Sequence, residues 1–171
     1  MRGTNLSKAD PNNDIKHLSD LMKEIKFAML TTAEEDGTLH SRPMTAQQVE
    51  FDGDLWFFTR VDSPKVWETQ THRQVNVAFA DTAKSKFISA SGTAMLVRDR
   101  EKMKELWTPV LKVFFPAGIE DPDLALLKIN VQKAEYWDSA PTSIGRTFNL
   151  AKAYLTKDPA ALGNHAKIDM K

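Results

Sequence analysis

The segment LWFFTR, residues 55 to 60, is apolar on both of its faces. Alternation along a strand puts Leu55, Phe57 and Thr59 on one side and Trp56 and Phe58 on the other. A strand of this kind must be covered twice, by a core inside and by a helix or a second subunit outside. Its surroundings are rich in strands. FAMLTTAE at 27 to 34 is followed by the turn EDG at 35 to 37, and TLHSRPMTAQQVEF at 38 to 51 alternates between two faces before FDGD turns the chain into LWFFTR. VNVAFAD, KFISASGTAMLVRD and LLKINVQKAEYWD, which ends at Asp138, read as three more strands.

Helices punctuate this order. Asp10-Pro11 is a cap followed by proline at the first helical position, and Ile15, Leu18, Met22 and Ile25 repeat at helical spacing behind it. Ser63-Pro64 opens a short helix to about His72, Asp99 caps REKMKELW, and FNLAKAYL forms a C-terminal helix before a polar tail. The 171 residues suit one domain, with a core over about 14–140 and the last helix and tail over 141–171. About six strands joined mostly by hairpins, with helices at ends and crossings, predict an α+β, mainly β, antiparallel barrel; neither the Rossmann glycine pattern nor a P-loop is present.

Charge narrows the partners. Lys plus Arg and Asp plus Glu both count 23, so no general basic field attracts nucleic acid, and an oligonucleotide-binding barrel would lack its basic groove. The chain has no cysteine, which excludes disulfides and thiolate chemistry, and its histidines, His17, His40, His72 and His165, show no metal-ligand spacing. The first residues lack a signal-peptide core and no run is long enough to span a bilayer, so a cytoplasmic protein without membrane contact is expected.

An anion must therefore meet a local site. Ser63 and Lys65 stand at a helix start, where unpaired N–H groups and the positive end of the helix dipole favour a phosphate, and Arg42 can reach in from the neighbouring strand. The same residues also read as an ordinary capped helix with a solvated lysine and a solvated or acid-paired arginine. In ISASGTAML, the small side chains from Ser89 to Ala94 admit a flat ligand or another backbone, or reflect packing against large neighbours.

Taken in order, SRPM at 41 to 44, LWFFT at 55 to 59, SPK at 63 to 65, SGTA at 91 to 94 and AEYWD at 134 to 138 resemble the pyridoxamine 5'-phosphate oxidase-like, FMN-binding split-barrel superfamily, in particular its general stress protein branch. The resemblance runs from about residue 17 to residue 140. It implies a homodimer of six-stranded split β-barrels with flanking helices and a flavin, FMN or FAD, in each of two interface clefts. It also implies that Arg42, Pro43, Met44 and Thr45 lie along the cofactor, that Phe57, Phe58 and Thr59 meet its ring, and that Ser63 and Lys65 hold its phosphate. Trp137 would pack near the cofactor, commonly across the interface, with Trp107 beside it.

Two departures stand out: Gln47 replaces a lysine of the pyridoxamine phosphate oxidases, and Asp138-Ser139-Ala140-Pro141-Thr142 replaces their Arg-x-His pair. Vitamin B6 oxidation is therefore not expected. The resemblance implies a flavin-dependent oxidoreductase of unassigned small-molecule substrate, or else a protein that binds or buffers flavin without turnover; it leaves a deazaflavin or a haem-related ligand open.

Overall fold

In the computed structural model, residues 11–47, 51–139, 143–157 and 163–170 are described. In chain order the elements are α1 (Pro11–Glu24), β1 (Phe27–Ala33), β2 (Leu39–Thr45), β3 (Asp54–Arg60), α2 (Pro64–Thr71), β4 (Gln74–Asp81), β5 (Lys86–Val97), α3 (Arg100–Leu106), β6 (Leu124–Ser139), α4 (Ser143–Thr156) and β7 (Gly163–Asp169). Asp10, the expected cap of α1, lies outside the described residues.

Every strand pairing is antiparallel, and six strands form a curled half-barrel in the order β2-β1-β4-β5-β6-β3. The pairing of β5 with β6 is irregular at one point. There the register slips between Ser91 and Gly92, and a Cβ at position 92 would sit 2.1 Å from the Asn130 carbonyl oxygen. Of the two approaches that the small residues admit, that of another backbone is the one seen at Gly92.

Both faces of β3 are covered as its sequence demands. Leu55 and Phe57 point into the main core with Leu18, Leu21 and Met22 of α1, while Trp56 and Phe58 join a second cluster with Met103 and Leu106 of α3 and with Leu111. Full burial of a side chain such as Phe57 is worth roughly 1.5–3 kcal/mol. The second cover comes from the chain itself. Asp99 caps α3 by accepting from the N–H groups of Glu101 and Lys102, and the helix stops at Leu106, before Trp107.

Two expectations change. The polar tail forms a seventh strand, β7, which pairs with the second half of β6 on the edge that β3 occupies along the first half. The pattern of GNHAKID is too polar to announce a strand, yet Ile168 on its inner side is buried in the core. Strand β2 ends at Thr45, short of the expected Phe51: the Gln47 side chain turns back to the Thr45 carbonyl, and the Phe51 N–H donates to Ser19 of α1; residues 48–50 lie outside the described set.

Candidate functional site at the barrel seam

The two end strands of the sheet, β2 and β3, are neighbours in the sequence but are not hydrogen-bonded to each other. Their unpaired edges flank a cleft. Parity tells which backbone groups face it. Ala46 N–H bonds Lys26 on the β1 side, so alternation places the N–H and C=O of Ser41, Pro43 and Thr45 on the open edge of β2. Proline at 43 therefore costs no ladder bond. On β3 the Val61 bond to Asp123 sets the opposite parity, and the amide and carbonyl of Phe58 face the opening.

The cleft has a volume of about 260 Å³ and is lined by Pro43, Met44 and Thr45 from β2, Phe58, Thr59 and Arg60 from β3, and Ser63 and Lys65 at the start of α2. Leu111, Phe114 and Phe115 form the remaining wall. Its lining is mostly apolar, and one corner is basic.

At that corner Ser63 is the N-cap of α2 but makes no side-chain cap bond; its hydroxyl shares a hydrogen with the Thr59 hydroxyl at 3.0 Å. Pro64 has no N–H, and Val66 N–H donates to the Ser63 carbonyl, which leaves Lys65 N–H at the helix mouth. The Lys65 ammonium is half-buried and, among the described residues, forms no ion pair. Burial pushes its proton affinity down, the Arg42 charge pushes it further, and Glu68 offsets part of this.

Arg42 is placed differently. It lies on the inner face of β2, where one amino group donates to Thr32 Oγ1 and the other to Glu68 Oε2, each at 2.7 Å. Thr32 also donates to Glu68. Burial raises the Glu68 carboxyl, but the hydrogen bonds from Thr32 and Arg42 outweigh it and hold the group below its ordinary value. The acid-paired arginine is the outcome the sequence left open, whereas Lys65, which feels Glu68 only at a distance, forms no ion pair among the described residues.

Seven of the expected site residues thus meet in the cleft: Pro43, Met44, Thr45, Phe58, Thr59, Ser63 and Lys65. Phe57 faces the core instead. Trp107 is not part of the cleft lining; it packs against the second cluster, edge-on to Phe58 at 5.4 Å between ring centroids. Trp137 lies on β6, on the outer face of the sheet, stacked against His165.

Sequence reasoning missed the outer wall. Between α3 and β6, Pro109–Val113 winds into a 3-10 turn started by its proline, and Phe115 tilts against Phe58 at 6.2 Å. The apolar run Val113-Phe114-Phe115 was the available signal. Arg60 was missed too. Its guanidinium donates to Asp62, Asp121 and Asp123, tying the end of β3 to the loop that closes this wall.

The profile of the family described as "Pyridoxamine 5'-phosphate oxidase like" matches residues 13–160. The chain belongs to this family. Within and around the family, it is 30% identical over 164 residues to protein bli-3 of Neurospora crassa, covering 90% of this chain and 78% of that protein. A putative general stress protein 26 from Jannaschia superposes with a TM-score of 0.75 at 24% identity, over 92% of this chain and 99% of that one. The general stress FMN/FAD binding protein of Xanthomonas citri superposes at 0.64 with 32% identity, over 77% of this chain and 92% of that one. Among the described residues, no helix is long and apolar enough to cross a membrane.

Proposed function

We propose that this family member binds a flavin mononucleotide in the seam, with its phosphate on Lys65 and Ser63 and its ring between the β2 edge and the aromatic wall. The observation that carries the reading is Lys65: a half-buried ammonium in a cleft, with no carboxylate paired to it among the described residues. A phosphate supplies the missing counter-charge, and each charge-assisted bond is worth about 1.5–3 kcal/mol. The residues present suit such a ligand. Pro43, Met44, Phe58 and Phe114 offer apolar surface to a flat ring, and the Thr45 N–H, Pro43 C=O and Phe58 amide offer hydrogen bonds to its polar edge.

The FMN/FAD binding described for the Xanthomonas citri relative supports the assignment. When bound, the flavin itself supplies hydride and electron transfer, and the protein orients it and sets its electrostatics. The Thr45 N–H is placed to favour negative charge on the polar edge of the ring. A small-molecule oxidoreductase is the activity this arrangement serves.

The functional unit we propose is a homodimer. The outer face of the sheet exposes Phe27, Met29, Phe87 and Trp137, an apolar surface that a second copy covers by isologous packing. A protein that purifies yellow, as a dimer, with one flavin per chain and oxidises NADH or NADPH supports the proposal. Tight flavin binding without reduction by any donor assigns it to flavin binding or buffering instead, and a colourless chain that takes up neither FMN nor FAD refutes it.

A further inference from the structure

Cross-strand pairing arranges the outer face of the sheet in rows. One runs Pro43, Met29, Ala78, Ser89, Glu135, Lys167 across β2, β1, β4, β5, β6 and β7. The adjacent row holds Thr45 and Phe27 at one end and Ala80, Phe87, Trp137 and His165 at the other. Direct cross-strand partners share a face, so the cleft residues Pro43 and Thr45 stand on the same face as Trp137 and His165, at the opposite end of the rows.

His165 is held in a defined pose. Its ring lies parallel to that of Trp137, 10° between planes and 5.3 Å between centroids, and its Nε2 is 2.6 Å from Glu135 Oε1. Glu135 also faces Lys167 at 3.6 Å. Stacked on one another, the two rings form one aromatic unit on the outer face, with Trp137 still 39% exposed.

Isologous packing of this face about a twofold axis parallel to the strands exchanges the two ends of every row. The small side chains of Ala78, Ala80 and Ser89 then lie near the centre, where two sheets can approach closely. The Pro43–Thr45 end of one copy meets the Trp137–His165 end of the other.

We propose that His165, delivered by the C-terminal strand, is a ring-positioning residue of the partner subunit's cleft, where with Trp137 it forms a second wall for a planar heteroaromatic ligand. The inference rests on the flavin and dimer reading above. It places a ligand contact on a strand whose sequence gave no sign of one.

Because the contact is to the ring and not the phosphate, His165→Ala should weaken FMN and riboflavin alike, by about 2- to 12-fold, and His165→Phe should restore most of both. The decisive sample is a mixed dimer, isolated with two tags, of one Lys65→Ala chain and one Trp137→Ala/His165→Ala chain. If the wall acts across the interface, one cleft keeps its own Lys65 and receives an intact wall, so titration shows one FMN site of wild-type affinity per dimer. If no such site appears, or if His165→Ala leaves riboflavin affinity unchanged, the inference is overturned while the flavin assignment stands. A wild-type protein that binds no flavin overturns both, and is told apart by that first titration.

Discussion

Replacing Lys65 by methionine keeps the stem that lines the cleft and removes only the charge. In the proposed complex it deletes a charge-assisted contact to the phosphate worth about 1.5–3 kcal/mol, so the FMN dissociation constant should rise about 10- to 150-fold. Arg42 cannot take over, because its guanidinium is already engaged by Thr32 and Glu68. Riboflavin, which lacks the phosphate, should lose less than about twofold by the same reasoning. Fluorescence titration of both ligands at about 0.15 M salt, where the screening length is about 8 Å and a direct contact is little screened, measures the contrast.

The pH dependence has a definite sign. Burial and Arg42 hold the free Lys65 ammonium below its ordinary value, and a bound phosphate favours its protonated form. Raising the pH through the depressed value should weaken FMN but not riboflavin. Over the window from that value up to the ordinary lysine value of 10.5, the ligand-free fold gains stability, since only the unfolded chain still binds the proton. The methionine variant should show neither effect. Equal losses for FMN and riboflavin, or no loss for either, would refute a phosphate on Lys65.

Three further substitutions probe the frame. Arg42→Ala strands Glu68 in a mostly buried position and should cost about 3–5 kcal/mol of stability in urea unfolding, with Glu68→Gln in the same chain recovering much of it. Gly92→Ala forces a Cβ against the Asn130 carbonyl and should cost about 3 kcal/mol or more, read as a lowered thermal midpoint. Tyr136 donates to Asp14, and burial first and that bond second push its hydroxyl up to about 12 from an ordinary 10.0. Its contribution is complete below pH 10 and lost as the pH rises to about 12, so Tyr136→Phe should flatten the stability profile over that window.

What could be read in advance followed from local rules. Alternation located β1, β3, β4, β5 and β6, the Asp99 cap located α3, and the two apolar faces of LWFFTR required the two clusters that enclose it. What could not be read depends on distant partners. Glu68 comes 26 residues after Arg42 and meets it only because α2 packs against β1, the strand paired with β2. Strand β7 has little apolar pattern of its own and is held by the free edge of β6. Phe57 and Phe58 are adjacent letters with opposite destinations, and membership of the seam is decided by which side of β3 each one faces.

The open strand edges of the seam give a reason to favour the proposed flavin over a merely apolar ligand. Pro43 removes the one donor that would sit between Ser41 and Thr45 on the open edge, which both discourages pairing with a foreign strand and leaves a carbonyl beside a donor. The remaining groups alternate: the Pro43 carbonyl accepts, and the amides of Thr45 and Phe58 donate. A ring edge bearing one N–H between two carbonyls, as in the pyrimidine part of a flavin, matches such a set. Riboflavin methylated at that nitrogen loses its donor and should bind about 2- to 12-fold more weakly than riboflavin, the worth of one ordinary hydrogen bond. The penalty should persist in Lys65→Met, whose defect concerns the phosphate and not the ring edge. Equal affinity for the methylated and unmethylated rings would mean that the open strand edges do not read the ligand, and that the cleft holds it by its apolar walls alone.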